Sequence, residues 1–327
     1  MIKIFKMSLA GLMFSVATIS SAGMITPNPT APSIAGTAHI LQDYDSGHIL
    51  MSENADERLP PASITKLMTS YVVSQEIHDG NIKLDDEVLI SEKAWRMIGS
   101  RSFIEVNTKV TVEALLRGMI VQSGNDAAVA LAEHVAGSEE VFAQMMNQYA
   151  QKLGMVNTNY QNATGLPGAE HYTTAHDIAI LSAALIRDFP EHYQWYAEKE
   201  YTYNGITQHN RNKLLWRDNT VDGLKTGHTE EAGYCLSASA KRDGMRLIAV
   251  VLGTASENAR AQEIQKMFNF GFRFFETHQL YAADEAITQT KVWKGQTDQL
   301  NLGLAQPLSI TVPRGRYKDL QASTNIQ

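Results

Sequence analysis

A serine and a lysine three residues apart, Ser63 and Lys66, form the pair with the clearest chemical potential in this sequence. A serine hydroxyl attacks a carbonyl only when a base takes its proton, and residues at positions i and i+3 share one face of a helix. Lysine acts as a base only when it is neutral, a state that burial, a helix N-terminus or a second nearby cation would favour. The pair therefore predicts acyl transfer through a serine nucleophile.

Two further patterns supply groups that such a site needs. Ser123-Gly124-Asn125 forms S-x-N in a break between two helical segments, where side chains can point into a cleft. Lys225-Thr226-Gly227 forms K-T-G, in which Lys225 would be the second cation and would attract a carboxylate. Gly227 would let a substrate backbone approach the edge of a strand.

Each pattern also has an ordinary structural explanation. Ser63 follows two prolines and could cap a helix, although a capping box prefers Glu or Gln at the position of Lys66. The S-x-N residues favour turns and could form a plain loop. Lys225 could protect an edge strand from aggregation, and Gly227 could mark a bulge. The order and spacing of the three patterns together favour the chemical interpretation.

The rest of the sequence predicts the elements that position these residues. Residues 34–51 predict a hairpin with its turn at Asp45-Ser46-Gly47. Helices are predicted over residues 64–77, 111–121, 127–135 (capped by Asp126), 139–152 and 175–187. Strands over 221–240 and 245–252 and a helix over 256–275 follow. A sheet that combines strands from both ends of the chain indicates an α+β fold.

Composition and charge exclude several functions. The 327 residues include 28 Lys+Arg and 35 Asp+Glu, a formal net charge of −7, so the clustered basic charge required for nucleic-acid binding is absent. None of the ten histidines has another histidine three or four residues away, which disfavours a zinc peptidase. Walker and dinucleotide-binding glycine patterns are also absent. No metal, cofactor or nucleic acid is therefore expected.

The N-terminus predicts export. Lys3 and Lys6 precede an apolar run over residues 7–19 and small residues over 20–23, which is the pattern of a secretory signal peptide over residues 1–22. The single cysteine, Cys235, permits no intramolecular disulfide, so an exported chain of this size must rely on its core. A bacterial periplasm fits these features.

In their order, the three patterns resemble the penicillin-binding protein and serine β-lactamase superfamily. The segments that carry the closer resemblance, to low-molecular-mass D-alanyl-D-alanine carboxypeptidases of the penicillin-binding protein 5 and 6 type, are Pro60–Lys66, Ser123–Asp126, Val221–Thr229 and Gly271–Phe275. The resemblance implies a transpeptidase-like domain over residues 23–275, with an antiparallel sheet flanked by helices and a mainly helical subdomain. A partial small β domain over residues 276–327 would follow.

The resemblance also implies a role for each matching residue. Ser63 would be the acylated nucleophile, Lys66 its base and Ser123 a proton relay, while Asn125 would bind the peptide amide. Lys225 would hold the terminal carboxylate of the substrate, with two arginines nearby. The remaining implied residues are Thr226, Gly227 and His228 on the strand that aligns the substrate, Arg211 and Arg260 near the carboxylate, and the backbone N–H groups of Ser63 and His228 as the oxyanion hole.

The implied activity is removal of the terminal D-Ala from peptidoglycan stem pentapeptides in the periplasm, with β-lactams as covalent inhibitors. Because the E-x-x-L-N glutamate of class A β-lactamases is absent, penicillin should acylate the enzyme and persist; Thr164 stands where some relatives have a histidine. A β-lactamase or D,D-endopeptidase on the same scaffold, or a catalytically silent peptidoglycan-binding protein, remains an alternative. Relatives commonly end in a membrane-lying amphipathic helix, which is not expected before Gln327, so membrane association stays open.

Overall fold

The structure, a computed structural model that describes residues 30–293 and 297–320, has a mainly helical middle between strands from the two ends of the chain. The predicted signal peptide lies outside the described residues, as do residues 294–296 and 321–327 of the predicted β domain. The α-helices are α1 (Lys66–His78), α2 (Glu92–Trp95), α3 (Val112–Gln122), α4 (Asn125–Ala136), α5 (Glu139–Leu153), α6 (Ala175–Asp188), α7 (Pro190–Tyr193), α8 (Leu214–Arg217) and α9 (Glu257–Phe274). The strands are β1 (Ala38–Asp43), β2 (Ile49–Glu53), β3 (Glu87–Leu89), β4 (Lys109–Thr111), β5 (Glu200–Tyr203), β6 (Ile206–His209), β7 (Val221–Thr229), β8 (Gly233–Arg242), β9 (Met245–Thr254), β10 (Phe275–Tyr281), β11 (Ala286–Lys291), β12 (Gln299–Gly303) and β13 (Leu308–Pro313).

A five-stranded antiparallel sheet with the order β2-β1-β9-β8-β7 forms the centre of the fold. The predicted N-terminal hairpin and the predicted sheet from both ends of the chain are confirmed. The single strand run predicted over residues 221–240 divides into β7 and β8, because Thr229 Oγ1 accepts a hydrogen bond from the Ala232 N–H at 3.0 Å and closes a turn. This division leaves β7 at the edge of the sheet.

Both faces of the sheet are buried, and alternate residues of its strands serve different cores. Leu247, Ala249 and Val251 of β9 pack in one cluster with Ile264 and Phe268 of α9. The residues between them in β9 belong to the other cluster, which contains the apolar side chains of α1, α3, α4 and α6; they are Ile248, Val250 and Leu252. The sheet is thus sandwiched between α9 and the helical part of the chain.

The N-terminus of α4 differs from the sequence prediction. The helix begins at Asn125 with Gly124 as its N-cap, and no side chain caps it, so the prediction that Asp126 is the cap is wrong. The Asp126 carboxylate is fully buried and accepts hydrogen bonds from the backbone N–H groups of Ser102 at 2.8 Å and Ile104 at 3.4 Å. Asp126 therefore fixes the preceding segment, which lies beside the site described below.

Beyond α9 the described residues form two antiparallel strand pairs, β10 with β13 and β11 with β12. Their junction with the main sheet is polar: Thr277 Oγ1 donates to Asp43 Oδ2 at 2.7 Å, and Ser46 and Thr311 join their hydroxyls at 2.6 Å. These pairs confirm the predicted small β region after the large domain. Among the described residues, no helix is both long and apolar enough to cross a membrane.

Candidate active site

Ser63 lies on a 3₁₀ turn, Ala62–Thr65, that leads directly into α1. Its neighbour Ala62 has a φ of 47°, in the left-handed region that non-glycine residues seldom adopt. The Ser63 hydroxyl caps neither the turn nor α1, which removes the capping explanation. Instead, Ser63 Oγ accepts a hydrogen bond from Lys66 Nζ at 3.0 Å, so the i to i+3 contact predicted from the sequence is formed.

The Lys66 amine is enclosed by protein. Its side chain is buried, and Nζ also donates to Asn125 Oδ1 at 2.7 Å and to the Thr164 carbonyl at 2.5 Å. Burial lowers the pKa of Lys66 to about 7, aided by the positive charge of Arg211 and opposed by Asp126 and Glu139. Near neutral pH, a large fraction of Lys66 is therefore unprotonated and can take a proton from Ser63.

Ser123 and Asn125 approach the same pair from the break between α3 and α4. Ser123 ends α3 with a φ of 70°, and its buried Oγ has no hydrogen-bond partner among the described residues. Asn125 uses Oδ1 for Lys66 and donates from Nδ2 to the Ile98 carbonyl at 2.6 Å. Ser123 thus has a free hydroxyl in the cleft, whereas Asn125 ties Lys66 to the segment around Ile98.

β7 forms the opposite side of the cleft and packs directly on the turn that carries Ser63. A Cβ atom added to Gly227 would meet the Pro61 carbonyl oxygen at 3.0 Å and the Ala62 Cβ at 3.2 Å. Gly227 was predicted to let a substrate backbone come close to β7. In the structure, the absence of a side chain at Gly227 lets the Ser63 turn itself lie against this strand. Gly227 also lines the cavity next to Ser63.

The cleft is strongly basic on the β7 side. Lys225 is buried, and among the described residues its Nζ donates only to the Thr226 carbonyl, at 3.3 Å. Burial, followed by the charges of Lys66, Arg211 and Arg260, holds the pKa of Lys225 well below its usual value. Arg260 is buried and donates from Nη1 to the Gly227 carbonyl at 3.0 Å, whereas Arg211 is exposed. These charges would favour an anionic ligand.

Lys225 was predicted to be the second cation beside Lys66. Burial, followed by the charge of Lys66, lowers the pKa of Lys225, and repulsion between two like charges disfavours the protonated form of both. Each of these two buried amines is therefore less basic than a free lysine, and the charge of Arg211 adds to the effect on both.

The predicted residues meet at a cavity of about 180 Å³. The cavity is lined by Ser63, Ser100, Ser123, Arg211, Thr226, Gly227, His228, Tyr234, Glu257 and Arg260. Lys66, Asn125 and Lys225 are buried and contribute no lining. Sequence analysis missed Ser100, Tyr234 and Glu257. The register of β7 and β8 could have indicated Tyr234, which pairs with His228 across the two strands and stacks on its ring at 4.0 Å. No cluster of three or more metal-ligating side chains occurs among the described residues.

A loop over residues 160–171, here called the 160–171 loop, covers the start of α1. Besides the Thr164 carbonyl on Lys66, the Ala163 carbonyl accepts from Thr69 Oγ1 at 2.7 Å. The Thr164 hydroxyl donates to Asn162 Oδ1 at 3.0 Å and accepts from the Leu166 N–H at 3.2 Å, so both of its contacts stay within the loop. Thr164 therefore reaches Lys66 through its backbone, a contribution that residue type does not predict.

On this fold the Ser63–Lys66 pair has the geometry of a serine nucleophile beside a base, which suits an acyl-transferring serine enzyme. Comparison with protein families agrees: the family described as D-alanyl-D-alanine carboxypeptidase matches residues 25–256, and the penicillin-binding protein 5 C-terminal domain matches residues 275–327. The chain belongs to the D-alanyl-D-alanine carboxypeptidase family.

Individual relatives support this assignment along most of the chain. The D-alanyl-D-alanine carboxypeptidase DacC of Escherichia coli (strain K12) is 48% identical over 300 residues, 90% of this chain and 75% of that protein. DacA of the same strain is 44% identical over 324 residues, 97% of this chain and 80% of that protein. Penicillin-binding protein 5 from Haemophilus influenzae superposes with a TM-score of 0.85 at 44% identity, covering 89% of this chain and 86% of that one.

These comparisons confirm the family predicted from the three motifs, the α+β transpeptidase-like fold and the D-alanyl-D-alanine carboxypeptidase activity. A more distant protein, a mutant of the Streptomyces K15 DD-transpeptidase, still superposes with a TM-score of 0.70 at 30% identity, covering 74% of this chain and 99% of that one. The fold is therefore shared with proteins of much lower sequence identity.

Proposed function

We propose that the chain removes the terminal D-Ala from peptidoglycan stem pentapeptides through an acyl-enzyme on Ser63. The observation that carries this proposal is the state of Lys66, which is buried, lies 3.0 Å from Ser63 Oγ and has a pKa of about 7. A base is most effective when its pKa lies near the working pH. A silent binding protein would have no need for a buried lysine tuned in this way, since burial of an amine is costly.

Acylation follows from the hydrogen bonds of the site. Neutral Lys66 takes the Ser63 proton, and Ser63 Oγ attacks the carbonyl carbon of the penultimate D-Ala. The backbone N–H groups of Ser63 and His228 stabilise the oxyanion. Collapse of the tetrahedral intermediate breaks the peptide bond, and the proton passes from Lys66 through the unpartnered Ser123 hydroxyl to the leaving D-Ala nitrogen. Water then hydrolyses the Ser63 ester and releases the shortened peptide.

Substrate recognition belongs to the basic side of the cleft. Lys225, Arg260 and Arg211 form the positive cluster that binds the terminal carboxylate. Thr226, Gly227 and His228 align the substrate along β7, and Asn125 meets the peptide amide when its own contacts open. The requirement for a free terminal carboxylate distinguishes a carboxypeptidase from an endopeptidase.

β-Lactams would acylate the same serine. Penicillin-Binding Protein D2 from Listeria monocytogenes, a solved structure with a TM-score of 0.69 at 30% identity that covers 75% of this chain and 100% of that one, is described in ampicillin-bound and cefotaxime-bound forms. The contacts of the Thr164 hydroxyl lie within the 160–171 loop, so this side chain places no base against a hydrolytic water. Slow release of the penicilloyl group is the expected consequence.

The cellular setting is part of the same proposal. A signal peptide over residues 1–22 would send the chain to the periplasm, where stem peptides are found, with a catalytic domain over residues 23–275 and a β domain over residues 276–327. The junction of α9 with β10, at Phe274 and Phe275, supports this boundary. Attachment at the periphery of the inner membrane would keep a full-length form close to these peptides.

Release of D-alanine tests the proposal. Residues 23–327 should release one D-alanine per pentapeptide ending in D-Ala-D-Ala, and Ser63→Ala should release none. A peptide whose D-Ala-D-Ala bond is followed by a further residue separates the endopeptidase alternative, and consumption of free penicillin separates a β-lactamase. Binding of the pentapeptide without any D-alanine release would favour a silent peptidoglycan-binding protein.

A further inference from the structure

The 160–171 loop is closed at its base and attached to the start of α1 by several contacts. Asn159 and Tyr172 exchange backbone hydrogen bonds at 2.9 and 3.1 Å where the loop begins and ends. Between these points the loop contacts Lys66 and Thr69 through consecutive carbonyls, and Glu139 Oε1 accepts from the Ala163 N–H at 3.1 Å. The position of the loop thus determines how Lys66 is enclosed.

A buried histidine, His171, forms a further attachment and has a defined protonation state. Its Nδ1 accepts a hydrogen bond from the Gln161 N–H at 3.0 Å, so Nδ1 carries no proton. Neutral His171 must then be protonated on Nε2, which lies 2.8 Å from Thr65 Oγ1 and donates to it. One imidazole therefore joins both arms of the loop to Thr65, the residue that directly precedes Lys66 in the chain.

The fit between the loop and the turn is tight. Gly165 has a φ of +84°, and a Cβ atom there would lie 1.8 Å from the Ala62 carbonyl oxygen and 2.9 Å from Thr65 Oγ1. Loop and turn are thus in contact beside the Thr65–His171 hydrogen bond. Loss of that bond would loosen the loop at the point where its backbone covers Lys66.

We propose that His171 is a positioning residue for the base: through Thr65 it holds the 160–171 loop on α1 so that the Thr164 carbonyl encloses and orients Lys66 Nζ. This inference rests on the proposed role of Lys66 as the base. His171 is not among the residues that line the substrate cavity, and its effect on catalysis is transmitted through Thr65 and Thr164.

The charged groups around Lys66 set the direction of the effect. Asp126 on α4 and Glu139 on α5 raise the pKa of Lys66, Arg211 lowers it, Lys225 faces it from β7 and His171 from the loop. Burial is the largest influence, so a loosened loop that admits water moves the pKa of Lys66 upward. Burial, together with Lys66, lowers the pKa of His171 to about 4, so His171 stays neutral where Lys66 titrates.

Two substitutions of His171 separate its two hydrogen bonds. His171→Asn keeps an acceptor near Nδ1 for Gln161 and loses the donor to Thr65, whereas His171→Gln keeps a donor near Nε2. His192→Gln is the matched control, because His192 Nδ1 makes a 2.8 Å hydrogen bond to Ser74 Oγ at the other end of α1. Thr65→Val removes the same Thr65–His171 bond from the opposite side and serves as a second variant.

The readout is the second-order rate constant of acylation by benzylpenicillin against pH, which should rise through about pH 7 in the unmodified chain. His171→Asn and Thr65→Val should each move this midpoint up by about one pH unit and slow acylation about fivefold at pH 7. In His171→Gln, which keeps the donor to Thr65, the midpoint should stay close to that of the unmodified chain. His192→Gln should leave the midpoint in place even if it lowers the unfolding temperature.

The possible results separate the inference from the function on which it rests. If the unmodified chain is not acylated, the proposed function fails. If it is acylated but the midpoint of folded His171→Asn and Thr65→Val stays where it was, or His192→Gln moves it equally, the positioning role of His171 is overturned. Loss of folding in His171→Asn alone leaves Thr65→Val as the deciding variant.

Discussion

The two sides of the cleft hold their lysines in opposite ways. On the helical side, formed by the Ala62–Thr65 turn, α1, residues 123–125 and the 160–171 loop, Lys66 Nζ lies within hydrogen-bond distance of three oxygens of the protein, all at 3.0 Å or less. On the sheet side, formed by residues 225–228 of β7 with Arg260, Lys225 Nζ has one acceptor among the described residues, at 3.3 Å. Both lysines are buried.

This difference separates reaction from recognition. A proton acceptor must be fixed against one partner, and the three contacts of Lys66 do this before the substrate arrives. A buried cation with few acceptors is costly alone and gains most when an anion completes its hydrogen bonds. In the proposed function, the helical side therefore serves proton transfer, and the sheet side binds a carboxylate supplied by the ligand.

Removal of the proposed base on the helical side should cause the largest loss of acylation rate. Lys66→Met preserves much of the buried volume but removes the base, so acylation by benzylpenicillin should slow by about 10³-fold. The unfolding temperature should not fall, because methionine carries no charge that burial penalises. Mass spectrometry should therefore show strongly slowed acylation, and thermal unfolding should show an intact fold. Acylation within a factor of about three of the unmodified rate would remove Lys66 from the mechanism.

A substitution on the sheet side should lower kcat/KM mainly for peptides with a free terminal carboxylate. Lys225→Gln removes a charge-assisted bond to the terminal carboxylate, so kcat/KM for a D-Ala-D-Ala peptide should fall roughly 10- to 100-fold. The same peptide with an amidated terminus should already react poorly with the unmodified chain, so Lys225→Gln should lower its kcat/KM by about threefold at most. Equal losses for both peptides would mean that Lys225 serves the reaction and not recognition.

Sequence alone predicted the parts of this comparison that depend on local spacing. Ser63 and Lys66 are three residues apart and meet on one turn, and the K-T-G strand lies at a sheet edge as its residue types suggest. The contacts that complete the base come from Asn125 and Thr164, 59 and 98 residues away from Lys66. Neither contact follows from periodicity, and Thr164 contributes a carbonyl that every residue type has.

The wrong prediction of the capping residue of α4 has a similar cause. Asp near a helix start is a common capping residue, which made Asp126 the local choice. Its carboxylate is instead committed to Ser102 and Ile104, more than twenty residues earlier in the chain, and Gly124 occupies the cap position. Long-range burial of a charged group overrode the local preference.

Contact between the two sides should depend on Gly227. In Gly227→Ala the new Cβ would press on the Pro61 carbonyl and on Ala62, so β7 and the Ser63 turn must separate by a few tenths of an ångström. Overpacking of this kind lowers the free energy of unfolding by about 1–3 kcal/mol. Acylation should slow as well, because Ser63 and the His228 N–H no longer share one oxyanion. Denaturant unfolding and adduct formation measure the two effects, and an unchanged value for both would contradict this packing.

Substitution of Thr164 should change the rate of deacylation least. Thr164→Val removes a hydroxyl that bonds only within the loop and leaves the carbonyl that binds Lys66. Release of the penicilloyl group should change by less than about threefold, measured by the decay of the adduct mass. A loss of tenfold or more would show that the side chain takes part in deacylation.

The covalent role of Ser63 is tested most directly by the intact mass of residues 23–327 after exposure to benzylpenicillin, with peptide mapping of the adduct. The account predicts one penicilloyl group, located on Ser63, that forms faster as the pH rises through about 7 and is absent from Ser63→Ala. An adduct on another residue, or equal labelling of Ser63→Ala, would contradict it.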